Sequence, residues 1–271
     1  MISKTFPNRL FRLGCRLICL FSVFGCGSIR PQGIKLVKLA FVTNLPELNP
    51  DGYLINYRDS VPIYYYDNLV LYKMPYLYEE RTPVRRPGKD NVDTVNLDKI
   101  AFTETRYIYF VYKRDQQKGM IIYDLSDLNS RKTASVDSIR SYLFYGNSDV
   151  YATVKNENLY KTYGDPKKGN LVQVLIPKIE RDDGDTCYLY YSKDLKFSDL
   201  SFSKTLDSIA QLKLYKFKVI CNKKKSLLSN AILPQREFFY ELKRVPASID
   251  DKSVESLFLK VKDEKLLDEV L

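Results

Sequence analysis

Residues 107–112, YIYFVY, place apolar side chains on both faces of an extended chain. A strand of this kind needs cover on both sides, which predicts the centre of a sheet with other elements packed above and below it. Turn residues such as Asn49-Pro50-Asp51-Gly52 separate it from similar runs rich in Tyr, Val, Ile and Phe. The sequence therefore predicts an α+β protein, mostly antiparallel β, built as a curved sheet, an open half-barrel or a sandwich.

Eleven segments are candidate strands by composition and alternation. They are residues 34–42, 52–57, 63–66, 69–73, 107–113, 119–124, 150–154, 171–176, 187–192, 212–221 and 237–243. Residues 81–96 contain two prolines, a glycine and several bases, so we expect them to form a long irregular loop beside the sheet.

A few helices are predicted around this sheet. Residues 135–143 have helical spacing, residues 199–209 are ambiguous, and residues 250–271 form the clearest helix, with Ser248 and Asp251 as its N-terminal cap. We expect this last helix to pack on the sheet. Its apolar residues form two stripes that are slightly out of phase, namely Val254, Leu257, Phe258 and Val261, and then Leu266, Leu267 and Val270.

The N-terminus has the order of a secretory signal peptide. Residues 1–16 carry four bases and no acid, and the apolar run 17–25 follows them. A helix of that run would rise only ~14 Å, well short of the ~30 Å hydrocarbon core of a bilayer. The run ends in Val23-Phe24-Gly25-Cys26, followed by Gly27.

This ending resembles the lipobox of bacterial lipoproteins. The resemblance implies cleavage after Gly25, a diacylglyceryl group on the Cys26 thiol and a third acyl chain on its amine. It implies a lipid-anchored protein of the cell envelope, and Gly27, which is not acidic, favours the outer membrane on its periplasmic side. The strand phrases at 105–115, 119–125, 187–195 and 213–220 resemble lipoproteins of Bacteroidota that have no assigned chemistry. A broader analogy links the predicted sheet to the open half-barrels of lipoprotein carriers.

These features divide the chain into a signal peptide (1–25), a lipidated tether (26–33), one β-rich domain (34–249) and a C-terminal helix (250–271). Removing the signal peptide lowers the net charge from +10 to +6, so the basic balance is partly an export signal. We therefore expect no nucleic-acid partner. The expected partners are the membrane, through the anchor, and an envelope protein or an amphipathic ligand.

The residue types limit the chemistry that this chain can perform. The chain has no His, so neither His-dependent catalysis nor a His metal site is available. The sequence also has no glycine-rich motif of the kind that binds the phosphates of a cofactor. We therefore predict no catalytic residue, no metal site and no cofactor. Asp182, Asp183 and Asp185 are interpreted as a polar turn rather than a calcium loop. An alternative stays open, an envelope glycan hydrolase that uses carboxylates such as Glu79, Glu80 and Glu104.

Two further groups of residues are candidates for specific roles. Cys187 and Cys221 lie in predicted strands, and export permits a disulfide between them, although two buried thiols remain an alternative. Tyrosines can line an amphipathic cleft, and arginines nearby can bind acidic head groups. The candidate binding surface consists of Tyr64, Tyr66, Tyr76, Tyr78, Arg85 and Arg86.

Overall fold

Most strands within the described residues pair into one large, open, antiparallel sheet of 11 strands. The computed structural model describes residues 36–49, 53–86, 94–144, 149–180, 182, 184–227, 231–263 and 265–268. The strands are β1 (Val37–Leu48), β2 (Leu54–Tyr66), β3 (Leu69–Arg86), β4 (Thr94–Lys113), β5 (Lys118–Ile122), β6 (Lys132–Ser135), β7 (Asn158–Asp165), β8 (Asn170–Ile176), β9 (Thr186–Ser192), β10 (Lys213–Cys221), β11 (Lys224–Lys225), β12 (Ile232–Leu233) and β13 (Arg236–Val245).

The order across the sheet is β6-β5-β4-β3-β2-β1-β13-β10-β9-β8-β7, and β11 pairs with β12 in a separate hairpin. The chain runs through β1 to β6 as successive neighbours and then crosses to the far edge. It returns from β7 until β13 pairs with β1. The predicted fold class, mostly antiparallel with few helices, is confirmed.

Four α-helices lie within the described residues: α1 (Val136–Leu143), α2 (Val150–Val154), α3 (Lys204–Ala210) and α4 (Lys252–Asp263). Residues 136–157 join the two edges of the sheet, and residues 193–212 join β9 to β10. Apolar residues of both connections pack in one core with the sheet. We call the side of the sheet that they cover the crossover face. None of the described helices is long and apolar enough to cross a membrane.

The opposite side of the sheet carries α4, and we call it the α4 face. Val254, Leu257, Phe258 and Val261 of α4 are buried, as the first predicted stripe requires. They form a second core with β2 to β5, which includes Tyr64 and Val111. Packing of the C-terminal helix on the sheet is thus confirmed.

Strand β4 is an interior strand with cover on both faces, as its sequence predicts, although it lies third from the β6 edge rather than in the middle of the sheet. Its side chains alternate between the two cores, with Phe110 and Tyr112 on the crossover face and Tyr109 and Val111 on the α4 face. All four are buried. The segment YIYFVY needs no polar face, because the two cores cover both sides of this strand.

Two predictions about local structure are wrong. Residues 150–154 form α2 rather than a strand, because Asp149 accepts the backbone N–H of Tyr151 at 2.9 Å and caps the helix. Residues 81–96 are not a loop throughout, since β3 continues to Arg86 and β4 begins at Thr94. Cross-strand pairing supplies the backbone hydrogen bonds there, with register shifts at Glu80/Arg81 and Pro83/Arg85. Residues 87–93 lie outside the described part.

The C-terminal helix is shorter than predicted. It ends at Asp263, and Lys265 then adopts a left-handed conformation with φ of 51°. The turn brings Leu266 and Leu267 back onto the α4 face, where both are buried. This reversal explains why the second apolar stripe is out of phase with the first. Val270 lies outside the described residues.

Strands β2 and β3 separate part of the way along their length. Their pairing extends from Tyr66↔Leu69 to Ile63↔Tyr72 and stops there. Pro62 follows directly on β2 and Pro75 lies three residues beyond Tyr72 on β3. Proline has no N–H for a ladder hydrogen bond, which explains why pairing is not continued.

Beyond this point the sheet continues as two hairpin arms. Strand β2 stays paired with β1 as far as Leu54, and β3 stays paired with β4 as far as Arg86. We call the place where β2 and β3 part the fork. It lies beside α1 on the crossover face.

Candidate functional site

A cavity of about 400 Å³ lies at the fork. Its walls come from β1, β2, β3 and α1, which are brought together from distant parts of the chain. This volume is within the range of small-molecule sites. The lining residues are Phe41, Thr43, Asp59, Val61, Met74, Pro75, Ser141, Tyr142 and Leu143.

Aromatic packing holds the crossover segments around the inner wall of the fork cavity. The ring of Phe41 lies 5.2 Å from that of Phe144, which follows α1, and 5.9 Å from that of Phe202, which precedes α3. Phe144 and Phe202 also contact each other edge to face at 5.7 Å. The inner wall is therefore a fixed apolar surface.

Two of the polar residues that line the fork cavity form one register pair. Phe41 of β1 lies opposite Val61 of β2, and the next pair on the same face is Thr43 opposite Asp59. Thr43 is 3% exposed, yet its Oγ1 has no hydrogen-bond partner. A buried hydroxyl without a partner has lost its hydrogen bonds to water and has gained none in exchange. Such a position can be satisfied by a ligand that forms a hydrogen bond with it.

A polar network ties α1, the roof of the fork cavity, to the sheet. Arg140 donates from Nη2 to Asp199 Oδ2 at 2.7 Å, and Tyr112 donates its hydroxyl to the same oxygen at 2.5 Å. The Tyr72 hydroxyl lies 2.9 Å from that of Tyr112. Burial raises the pKa of Tyr72 to about 12, and it raises the pKa of Tyr112 as well. Both phenols therefore stay protonated and act as donors.

Two of the tyrosines predicted to form a binding surface lie on the α4 face. Tyr64 is 1% exposed and donates its hydroxyl to Asp251 at 2.7 Å, so its prediction as a surface residue is wrong. Tyr66 is half-buried and packs against Phe258 of α4. Neither residue reaches the fork cavity.

The other two tyrosines lie on the β3–β4 arm, on the same face as Met74 of the cavity. Both are half-buried, and the guanidinium of Arg106 lies 3.5 Å from the ring centre of Tyr78. Tyr76 and Tyr78 therefore extend the apolar lining away from the fork. Arg85 and Arg86 pair through their backbones with Val95 and Thr94, and their side chains lie outside the described part.

The two cysteines are both buried in neighbouring strands. Cys187 of β9 lies opposite Val219 of β10, so Cys221 is two residues away on the same face. This diagonal placement keeps the two side chains near each other in the sheet. The predicted disulfide stays a prediction, as does the lipidation of Cys26, which lies outside the described residues.

Two of the three glutamates considered for catalysis, and two of the aspartates interpreted as a polar turn, have structural partners. Glu79 pairs with Arg81, and Glu104 pairs with Arg106, on the β3–β4 arm. Asp182 accepts from Ser226 and Leu227, and Asp185 accepts from Asn222 and Lys224, so both join their loop to the β11–β12 region. Within the described residues no cluster of three or more acidic or cysteine side chains suits a metal ion.

Sequence reasoning missed the fork cavity, because its walls come from positions as distant in the chain as Phe41 and Leu143. Two local signals were present. Thr43 is a polar residue in the core-facing series that starts with Leu39 and Phe41, and Pro62 interrupts a strand.

Compared with known proteins, the chain matches no protein-family model and no curated protein.

Proposed function

We propose that this chain is a lipid-anchored protein of the cell envelope that binds an amphipathic ligand in the fork cavity without transforming it. The observation that carries the proposal is the cavity itself, a mostly apolar space of about 400 Å³ with one unpartnered buried hydroxyl. Apolar walls with a few convergent polar groups are typical of small-molecule sites. The lipobox-like sequence at Cys26 supports placement at a membrane, where amphipathic ligands are available.

The surroundings of the cavity support this function. Beyond it, Ile55 and Tyr57 of the β1–β2 arm are 41% and 51% exposed on the same face as Val61. Tyr76 and Tyr78 lie on the β3–β4 arm, on the same face as Met74 of the cavity. An elongated ligand would pass from the cavity onto these aromatic and aliphatic side chains. Hydrophobic burial then supplies most of the affinity.

Filling the cavity should abolish ligand binding. Val61 lines the fork cavity, and a Val61→Phe substitution places a ring in that space. We expect the affinity for the neutral probe N-phenyl-1-naphthylamine, measured by fluorescence titration, to fall by at least about tenfold, because burial of a few methylene equivalents is lost. The same substitution at Val172, a half-buried strand residue outside the cavity, is the control. Equal probe affinity in the two variants would contradict the proposed site.

Loss of the anchor should release the protein from membranes. Several acyl chains, at about 0.8 kcal/mol per buried CH₂, hold a protein stably in a bilayer. We expect Cys26→Ser to move the protein from the membrane fraction to the soluble fraction, and Cys19→Ser to leave it in place. Mass spectrometry of the N-terminal peptide should show lipid on Cys26. An identical distribution of wild type and Cys26→Ser, with no lipid mass, would contradict the anchor.

A further inference from the structure

We propose that the end of the sheet at which β1 begins docks on a membrane surface that is rich in acidic phospholipids. We call this end the tether end, because the predicted tether precedes β1 in the chain. The inference rests on the lipid anchor of the proposed function, and it adds the surface by which the anchored domain contacts the bilayer. The observation that carries it is a group of exposed bases without ion pairs at the tether end.

The tether end is formed by strands from both halves of the sheet. Strand β13 ends beside the start of β1, where Val245 lies opposite Lys38. Strand β9 ends between the starts of β8 and β10, so that Ser192 lies opposite both Asn170 and Lys213. The segments that form the proposed surface are residues 165–170, 192–196 and 242–245.

The three segments adjoin one another at the tether end. Strands β10 and β13 stop pairing before they reach this end, and a cavity of about 490 Å³ lies there. Its lining combines Lys243 and Arg244 of β13 with Asp194 of the turn after β9. The backbone N–H of Lys193 in that turn donates to the carbonyl oxygen of Gly169 at 2.8 Å. The segments therefore form one continuous surface.

This surface carries an excess of positive charge. Its three segments contain six bases and two acids, and the bases are Lys167, Lys168, Lys193, Lys196, Lys243 and Arg244. All six are exposed, and none of them forms an ion pair within the described part of the chain. Of the acids, Asp165 accepts the backbone N–H of Lys167 at 2.9 Å, and Asp194 is exposed.

Lysines of the neighbouring strand show that such pairing is available in this fold. Lys213, Lys216 and Lys218 of β10 each form an ion pair with an Asp or a Glu. Like charges without counter-charges repel one another, and an acidic surface close by offsets this repulsion. Each basic residue near an acidic bilayer strengthens binding by about fivefold. The six bases of the tether end are therefore complementary to acidic head groups.

The length of the chain before β1 brings this surface to the membrane. Ten positions separate Cys26 from Leu36, the first residue that the structure describes. A chain of that length spans at most about 36 Å. An anchor at Cys26 therefore keeps the tether end within reach of the bilayer, so that phospholipid head groups are the acidic partner close at hand.

Lysine reactivity in the presence of vesicles tests this docking. Wild-type protein is added to vesicles of phosphatidylcholine, or of equal parts phosphatidylcholine and phosphatidylglycerol, and acetylation of each lysine is followed by mass spectrometry. We expect acetylation of Lys193 and Lys243 to slow at least about fivefold in the acidic vesicles. Lys178 and Lys223, exposed at the opposite end of the strands, should change less than about twofold. Salt at about 1 M, where the screening length is about 3 Å, should remove the slowing.

A charge-removal variant gives a second test of the same surface. It combines Lys193→Gln, Lys243→Gln and Arg244→Gln. We expect the slowing of acetylation at Lys167 in acidic vesicles to fall below about twofold in this variant. The matched control removes the same charge at the opposite end of the strands and combines Lys178→Gln, Lys223→Gln and Lys225→Gln. It should keep the wild-type slowing at Lys167.

The outcomes separate the docking surface from the anchor. Equal acetylation of Lys193 and Lys243 in the two kinds of vesicle, or equal slowing at Lys167 in the variant and its control, would overturn the docking surface. Slowing confined to Lys178 and Lys223 would overturn it as well. Wild-type protein that does not float with phosphatidylcholine vesicles would overturn the anchor alone. The acetylation comparison still decides the docking in that case, because acidic vesicles in excess bind a basic surface without an anchor.

Discussion

The Asp251→Ala variant is expected to lose about 3–5 kcal/mol of unfolding free energy, because it leaves the mostly buried Lys38 ammonium and the buried Tyr64 hydroxyl without their partner. Asp251 is 2% exposed at the start of α4. Its carboxylate accepts from Lys38 Nζ at 3.0 Å, from the Tyr64 hydroxyl at 2.7 Å and from the backbone N–H of Ser248 at 2.7 Å. Loss of the bonds from Lys38 and Tyr64 removes the polar contacts that join the start of α4 to β1 and β2. Urea unfolding followed by circular dichroism measures the effect.

The matched control is Asp250→Ala, which removes an exposed acid from the same turn. We expect it to change the unfolding free energy by no more than about 0.5 kcal/mol. Equal destabilisation by the two variants would show that Asp251 does not hold α4 through its buried contacts.

Asp251 also gives the stability a defined dependence on pH. Desolvation raises its pKa, but the hydrogen bonds from Ser248, Tyr64 and Lys38 outweigh this and hold the pKa below the ordinary value of 3.8. Because the pKa is lowered in the folded state, the ionised carboxylate makes its full contribution to stability at pH values above the ordinary pKa. That contribution is lost as the pH falls through the lowered pKa of the folded protein. We expect Asp251→Asn to lack this loss in acid, and a parallel acid profile in both proteins would contradict the assignment.

The Arg140→Met variant is expected to lose about 2–3 kcal/mol of unfolding free energy, since its ion pair is mostly but not fully buried. Arg140 and Asp199 are 19% and 18% exposed in their side chains. Without Arg140, the Asp199 carboxylate keeps the Tyr112 hydroxyl but loses its cation. Because α1 is the roof of the fork cavity, we also expect weaker binding of the naphthylamine probe.

The control for Arg140 is Lys155→Met, at an exposed position just after α2. It removes a charge of the same sign without touching the network of Asp199 and Tyr112. We expect wild-type stability and probe affinity for this variant. If Arg140→Met lost stability but bound the probe with unchanged affinity, α1 would not form a wall of the ligand site.

Patterns confined to one element could be predicted from the sequence. The two-faced apolar run of β4 predicts a central strand, and the first stripe of α4 predicts its packing face, because each pattern depends only on local periodicity. The second stripe could not be interpreted in the same way. Its phase depends on Lys265, whose left-handed conformation ends the regular geometry of the helix.

The division of the four candidate tyrosines between two faces depends on one turn. Tyr64 and Tyr66 on β2, and Tyr76 and Tyr78 on β3, all have even numbers, which suggests a shared face. However, the turn between β2 and β3 consists of Asp67, which has a φ of 52°, and Asn68. In the register that follows this turn, Tyr65 lies opposite Val70. Odd positions of β2 therefore share a face with even positions of β3. Strand periodicity does not contain this information without the turn geometry.

The fork cavity could not be predicted, because it forms where the neighbouring strands β2 and β3 stop pairing with each other. Pro62 and Pro75 are each compatible with an ordinary edge strand, and only their placement on neighbouring strands opens the sheet there. The Thr43 hydroxyl lines a cavity only because α1, much later in the chain, forms another of its walls. A cavity of this kind depends on tertiary contacts that no local pattern encodes.

Photo-crosslinking with a diazirine-bearing decanol tests the presence of a ligand in the fork cavity most directly. The probe is activated on the full chain carrying Cys26→Ser, and the labelled peptides are mapped by mass spectrometry. Binding in the fork cavity predicts labels on peptides that contain Val61, Met74 and Leu143, and their loss in Val61→Phe. Labels confined to peptides of α4, or spread over the surface and unchanged in Val61→Phe, would contradict it.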